Sequence, residues 1–322
     1  MTLTYIDPQK VRGSGMSEVL QVVERGTRVV QGWEGGPEPF RLLHGDCLQM
    51  LAALPEASVD LIFADPPYNL SNGGSTCRSG RWSSVDKGEW DKSEGVDEDH
   101  EFNRRWLSAC KRVLKPTGTV WVSGTQHVIY SIGFAMQELG YHLLNTVTWF
   151  KPNASPNLSC RYFTHSSELL LWASPERGRR LLHTFNYSEM KEENGGKQMR
   201  DLWVIPTPGK QEKRHGNHPT QKPLRLLERI VRATSCPGDL VLDPFCGSGT
   251  TGVAALENGR RFLGIERESR YVELARRRLE EATVVGPAAA LAREAADTVP
   301  TPPPRPRSGQ RGRGPSPRLG LA

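Results

Sequence analysis

Cysteine is sparse in this chain and shows no pairing pattern. Cys47, Cys77, Cys110, Cys160, Cys236 and Cys246 are scattered through 322 residues, and no two stand in Cys-x-x-Cys spacing. That excludes a zinc ribbon and a disulfide framework and leaves the reduced thiols of a cytoplasmic protein as the expectation. His215, His218 and Cys236 match no standard ligand spacing, so no metal is expected. No apolar run approaches the roughly 18 uninterrupted residues of a membrane span. The first ten residues lack the basic-then-apolar layout of a secretion signal. Residues 301–322 lack acid and carry Arg305, Arg307, Arg311, Arg313 and Arg318, which leaves residues 1–300 at +1 out of the chain's +6. Global charge is therefore weak evidence for a nucleic-acid partner, and local patches must carry that argument.

At 37% hydrophobic and 24% charged the chain can bury a core, and its length suits one large α/β domain or two modest ones. Apolar runs predict strands over residues 41–45, 59–64, 119–123, 141–150, 168–173, 239–242 and 261–265. Helical periodicity covers 47–54, 102–114, 127–139, 224–234, 252–258 and 269–282, with Asp46 placed as the first N-cap. This alternation predicts a mostly parallel sheet with helices on both faces, and ligands bind beyond the carboxyl ends of such strands. Pro116 to Gly118 reads as a turn, residues 71–100 as an extended surface loop, and 174–217 as polar and irregular. Residues 1–40 remain an unassigned N-terminal segment, 41–285 form the domain, and 286–322 are an Ala/Pro/Arg-rich tail expected to be disordered.

Two strand ends carry conspicuous loops. After Leu242 come Asp243-Pro244-Phe245-Cys246-Gly247-Ser248-Gly249-Thr250-Thr251. Glycines there let backbone approach a ligand, and the following helix offers free N–H groups. Thr251 stands where a dinucleotide fingerprint needs its third glycine, and no Gly-Lys-Ser/Thr follows to cradle phosphates. Glu266, at the end of the next strand, is placed to grip ribose hydroxyls. Loop and acid together suggest an adenosine ligand without a pyrophosphate, although glycines also serve plain turns. After Ala64 come Asp65-Pro66-Pro67-Tyr68-Asn69. Two prolines remove two N–H donors, so the Asp65 carboxylate and nearby carbonyls form an acceptor-only cluster that suits an –NH2 group. Tyr68 offers a ring on which a base can stack. Alone, this loop serves equally as a structural turn.

Taken together, the two motifs resemble the catalytic and cofactor motifs of the DNA amino-methyltransferases, and His218-Pro219-Thr220-Gln221-Lys222-Pro223 is similar to a further cofactor-side segment of that family. The catalytic motif precedes the cofactor motif, as in the β-class, and the similarity runs from about residue 41 to 282. The resemblance implies a Rossmann-like S-adenosylmethionine-dependent methyltransferase fold with circularly permuted motif order. It implies a catalytic site of Asp65, Pro66, Pro67 and Tyr68. It implies a cofactor site of Asp46, Lys222, Asp243, Phe245, Gly247, Gly249, Thr250, Thr251 and Glu266, with Lys222 near the cofactor carboxylate.

The implied reaction transfers a methyl group from S-adenosylmethionine to the exocyclic amine of a base flipped out of double-stranded DNA. Asp at the first catalytic position resembles the N6-adenine enzymes, as do the segments Asn69 to Gly74 and Val85 to Lys92, which are similar to enzymes acting on GATC. N4-cytosine is the alternative. A cognate restriction endonuclease and a homodimer are the partners the resemblance admits, with no membrane. DNA contact is expected from Arg78, Arg81, Trp82, Lys87 and Trp90 in the first irregular segment. From 151–217 come Lys151, Asn153, Arg161, Tyr162, Lys191, Lys197, Gln198, Arg200, Lys210, Lys213 and Arg214. The arginines of 267–278 read as a solvated helix face.

Overall fold

The computed structural model describes residues 38–71, 75–78, 81–84, 87–176 and 182–286. The N-terminal segment up to residue 37 and the tail from 287 lie outside the described residues. An eight-stranded sheet organises the rest, in the order β1-β10-β9-β2-β5-β7-β6-β8. Its strands are β1 (Phe40–His44), β2 (Val59–Ala64), β5 (Leu114–Gly124), β6 (His142–Phe150), β7 (Ser167–Ser174), β8 (Leu202–Val204), β9 (Leu240–Asp243) and β10 (Arg261–Glu266). Every neighbouring pair is parallel except those made by β7, which runs antiparallel to β5 and β6. The helices are α1 (Cys47–Ala53), α2 (Val96–Val113), α3 (Ile129–Glu138), α4 (Tyr187–Glu193), α5 (Leu224–Thr234), α6 (Thr250–Glu257) and α7 (Ser269–Val285).

Strand periodicity sets the two cores. Along β2, Val59, Ile62 and Ala64 join the cluster that holds Met50, Leu51, Trp106, Leu107, Ile132 and Met136 from α1, α2 and α3. Leu61 and Phe63 point the other way, into Leu227, Ile230, Ala254 and Leu279 from α5, α6 and α7. A strand buried on both faces reads as a continuous apolar run. Its one acid, Asp60, accepts hydrogen bonds from Lys115 Nζ at 2.6 Å and Leu240 N at 2.9 Å.

The sheet order places the two loops side by side. In the β2–β9 pair Ile62 lies opposite Leu242, so the chain leaves both strands at the same level. From β2 the sheet continues through β5, and from β9 through β10 and β1. A crevice opens at such a divergence.

Several expectations are corrected. Residues 71–100 are not a plain loop. They hold an antiparallel hairpin of β3 (Ser75–Arg78) and β4 (Arg81–Ser84), a 3-10 turn at Glu89–Asp91, and the start of α2. Helix α2 begins six residues before the expected Phe102, because Asp97, Glu98 and Asp99 form its first turn. Acids there favour the helix through its dipole without giving an apolar pattern. Residues 115–118 are carried inside β5 as an irregularity: pairing with β2 jumps from Val59↔Leu114 to Leu61↔Thr119. The stretch 174–217 contains α4 and β8, and β8 extends the sheet edge beside β6. Arg278 is not solvated. It is buried and donates to Ser248 O at 2.6 Å and Thr250 Oγ1 at 2.9 Å. Among the described residues no helix is long and apolar enough to cross a membrane.

Candidate active site

The Asp65 loop is held by a carboxylate the sequence did not single out. Asp91 is fully buried, and its Oδ1 accepts the backbone N–H groups of Tyr68 at 2.8 Å and Asn69 at 3.0 Å. Its Oδ2 takes Leu70 N at 3.2 Å and Ser71 Oγ at 2.8 Å. Three consecutive N–H groups aimed at one carboxylate require a sharp turn, and Asn69 supplies it with φ of 57°. Asn is among the few residues that tolerate this left-handed conformation. The donors that Pro66 and Pro67 lack are thus complemented by N–H groups that face inward, onto Asp91.

Asp65 sits in a buried polar cluster. Its Oδ1 accepts from Ser123 Oγ at 2.5 Å and from the Tyr68 hydroxyl at 2.7 Å, and its Oδ2 from Lys222 Nζ at 2.5 Å. The Tyr68 hydroxyl also lies 2.9 Å from Glu168 Oε2. Glu168 in turn accepts from Lys151 Nζ at 2.9 Å and stands 3.6 Å from Lys222 Nζ. Burial drives the Glu168 carboxyl up, but Lys222 and Lys151 outweigh it and hold the group down at about 2. Burial pushes the Tyr68 phenol well above its ordinary value, with Asp65 and Glu168 adding to the rise. The ring of Tyr68 is buried, with the Lys87 and Lys222 ammonium groups each 5.2 Å from its centroid.

The second loop is shaped by close packing. Gly247 has φ of 51°, and a Cβ there would stand 3.2 Å from the His218 ring. Gly249, φ 76°, would bring its Cβ to 3.0 Å from Ala275 Cβ of α7. Its role is the turn into α6. Gly247 N donates to Glu266 Oε2 at 2.7 Å, and Glu268 N to Glu266 Oε1 at 2.7 Å. Burial raises the Glu266 carboxyl, against those backbone bonds. Asp243 accepts from Thr251 Oγ1 at 2.6 Å and Phe245 N at 3.0 Å. Burial pushes its carboxyl up to about 7 despite them. His218 is held down at about 3 by burial, then by Lys222, Arg270, Lys87 and Arg278, so its ring is neutral.

Between the loops lies a cavity of about 290 Å³, which Asp65, Pro67 and Asn69 share with Asp243 to Ser248 and Glu266. Of the expected cofactor residues, Asp46, Lys222, Asp243, Phe245, Gly247, Thr250, Thr251 and Glu266 line it. Gly249, Pro66 and Tyr68 are not among its lining residues. Asp46 doubles as the α1 N-cap, accepting from Leu48 N at 3.0 Å and Gln49 N at 3.2 Å. Lys222 is brought to Asp65 as well as to the cavity. Three residues expected at DNA have partners within the protein. Trp90 lines the cavity, with its ring 6.2 Å from His218. Lys87 lies 3.8 Å from Asp91. Lys151 serves Glu168. Arg214 pairs with Glu281, and Arg161, Lys197, Gln198, Arg200 and Lys210 are exposed. The side chains of Arg78, Arg81 and Trp82 lie outside the described residues.

The lining decides the ligand class. Nine carboxylates face three Lys or Arg side chains, alongside the rings of Trp90, Phe102, Phe245 and Tyr271. A phosphate would be repelled, whereas a cationic ligand with an aromatic moiety is matched in charge and surface. S-adenosylmethionine, with a sulfonium, an ammonium and an adenine, meets that description. Fold and site define an S-adenosylmethionine-dependent methyltransferase whose Asp65 loop borders its cofactor cavity.

Comparison with known proteins specifies the class. Residues 59–277 match the N6/N4 methyltransferase family model described as DNA methylase. The chain is 54% identical over 239 residues to the Type II methyltransferase M2.DpnII of Streptococcus pneumoniae, covering 74% of this chain and 89% of that protein. It is 51% identical over 245 residues to the Type II methyltransferase M2.LlaDCHI of Lactococcus lactis subsp. cremoris, at 76% and 91% coverage. The crystal structure of the M1.HpyAVI–SAM complex superposes with a TM-score of 0.55 at 27% identity, over 74% of this chain and 98% of that one. The chain belongs to the DNA methylase family of amino-methyltransferases and is an S-adenosylmethionine-dependent DNA methyltransferase.

Proposed function

We propose that the chain methylates the N6 amino group of adenine in double-stranded DNA, at a specific sequence and with the target base flipped out of the stack. The observation that carries this reading is the Asp65 carboxylate on the wall of the cavity that Asp243 and Glu266 also line. When bound there, S-adenosylmethionine supplies an electrophilic methyl group. The chain's residues do the positioning. Asp65 and the Pro66 carbonyl accept the two amino hydrogens and so draw the nitrogen lone pair out of the ring system. Asp91 fixes the loop that carries them, and the cluster behind Tyr68 fixes the Asp65 carboxylate. Rate comes from orientation and electrostatics, with no covalent intermediate on the protein. Glu266 and Asp46 would hold the cofactor's hydroxyl and amino groups, and Phe245 and Trp90 its adenine.

Adenine is favoured by Asp at position 65 and by the resemblance of residues 69–74 and 85–92 to adenine enzymes acting on GATC. The Type II names of its relatives support a cognate endonuclease that recognises the same sequence, and the cytoplasm as the place of action. Nucleosides from DNA methylated by the purified protein are expected to contain N6-methyladenine, and N4-methylcytosine in its place overturns the base assignment. Asp65→Ala is expected to lower methyl transfer by at least about a hundredfold, with the Kd for S-adenosylmethionine within about threefold of wild type. A variant that turns over normally sinks the mechanism.

A further inference from the structure

Asp65 presents a difficulty for the mechanism just described. Both its oxygens are already in use: Ser123 and Tyr68 donate to Oδ1, and Lys222 Nζ donates to Oδ2 at 2.5 Å. Of these donors only Lys222 also lines the cavity. An ammonium and an aromatic amine offer the same thing to a carboxylate, N–H bonds at similar length. Lys222 therefore stands on the cavity side of the acceptor that the target base needs; Oδ2 keeps a second lone pair, but the ammonium neutralises its charge, and the base meets a full carboxylate acceptor only when Lys222 gives it up.

A buried ammonium cannot simply let go. The Lys222 side chain is 6% exposed, and leaving a buried charge without a partner is prohibitive. One alternative partner is within reach. Glu168 Oε2 stands 3.6 Å from Lys222 Nζ, and its carboxylate is 11% exposed. Glu168 does not line the cavity, and its other oxygen is bound to Lys151. The Tyr68 hydroxyl has a single proton and two carboxylate acceptors, Asp65 at 2.7 Å and Glu168 at 2.9 Å. A small movement of Lys222 toward Glu168 frees Tyr68 to donate fully to Asp65, so the exchange conserves hydrogen bonds.

We propose that Glu168 is a positioning residue that receives the Lys222 ammonium when the target amino group takes its place on Asp65. This rests on the reading of Asp65 as the acceptor of the target amine. The strong depression of the Glu168 carboxyl, with Lys222 as the first opposing cause, is consistent with a charged acceptor kept ready. The exchange gives Glu168 a function that neither cofactor binding nor base contact supplies.

A double-mutant cycle tests it, with kcat, KM for DNA and Kd for S-adenosylmethionine measured on folded protein. Glu168→Gln keeps the shape and an oxygen acceptor but loses the charge. It is expected to lower kcat/KM for DNA by at least about tenfold while leaving cofactor Kd within about threefold. In Lys222→Met no ammonium needs a second partner. Adding Glu168→Gln to Lys222→Met should then change activity by less than about twofold. If the two losses multiply, or if Glu168→Gln turns over like wild type, the proposal is overturned. Lys222→Arg gives a second route should Glu168→Gln fail to fold. Its planar fork can hold Asp65 and Glu168 together and resist displacement, so turnover at saturating S-adenosylmethionine should fall at least about tenfold. Unimpaired turnover in Lys222→Arg overturns the proposal as well. Asp65→Ala measured alongside separates the two readings. If it is active, the catalytic assignment fails. If it is inactive beside a normal Glu168→Gln, only the role of Glu168 fails.

Discussion

A carboxylate with no solvent access is tolerated only when its lone pairs are used. Asp91 meets that condition with three backbone N–H groups and a hydroxyl, all from the segment Tyr68 to Ser71. Asp91→Asn removes the charge and turns one acceptor oxygen into an –NH2 that faces donors. The expected loss is about 2–4 kcal/mol of stability, from weakened charge-assisted bonds and unsatisfied donors. Methyl transfer should fall with it, because the loop carrying Asp65 loosens. Urea melts and single-turnover assays check both, and unchanged values in each would falsify the anchoring role. Asp91 also marks the limit of sequence reading at this scale. Asp65, Pro66, Pro67 and Tyr68 were legible because they stand in one run, as were the residues of 243–251. Asp91 acts on Tyr68 across 23 positions and Glu168 across 100. No spacing rule spans such gaps, and each residue looks like an ordinary surface acid until the chain is folded.

Among the elements, α6 shows how one missing side chain sets the distance between layers. Gly252 lies in its first turn, and a Cβ there would stand 2.5 Å from Phe262 Cδ1 on β10 and closer still to Leu279 Cδ2 on α7. Both partners are fully buried and have no room to retreat. Gly252→Ala gains about 1 kcal/mol of helix propensity but forces overpacking that costs about 1–3 kcal/mol. Since the contacts lie well inside van der Waals range, the cost wins. A net destabilisation of about 1–2 kcal/mol is expected, and a raised Tm would show that the layers can separate freely. Length decides which elements could be read in advance. Helix α5 was legible end to end: Leu226, Leu227, Ile230 and Val231 give a clear apolar stripe, and Pro223 precedes it. Strand β2 was legible as an apolar run ended by Asp-Pro-Pro. Helix α4, of seven residues, and strand β8, of three, are too short to show a period. The existence of β8 depends on β6, with Trp203 packed beside Trp121.

For the molecule as a whole, the motif order was visible in the sequence but the sheet order was not, and function depends on the second. Placing β9 against β2 brings Asp65, Asp243 and Glu266 to one cavity, and three acids in one crevice repel each other. Asp243 registers that field. Its carboxyl is raised to about 7 by burial, with Asp65 and Glu266 adding to the rise, although Thr251 and Phe245 donate to its charged form. Between its ordinary 3.8 and about 7, the folded protein holds a proton that the unfolded chain has released. Asp243 therefore makes stability fall as pH rises through that window and has no further effect above it. A cation in the cavity favours the charged carboxylate and releases the proton. Affinity for S-adenosylmethionine should accordingly rise with pH up to about 7 and then level, with proton release on binding that is largest below that value. Asp243→Asn cannot ionise and should flatten this dependence, apart from whatever the ligand's own groups contribute. Calorimetric titration of both proteins at several pH values, in buffers of different ionisation enthalpy, isolates the Asp243 share as the difference between them. Equal pH slopes would show that Asp243 is already ionised before the cofactor arrives, and that Thr251 and Phe245 stabilise its charge more than burial opposes it.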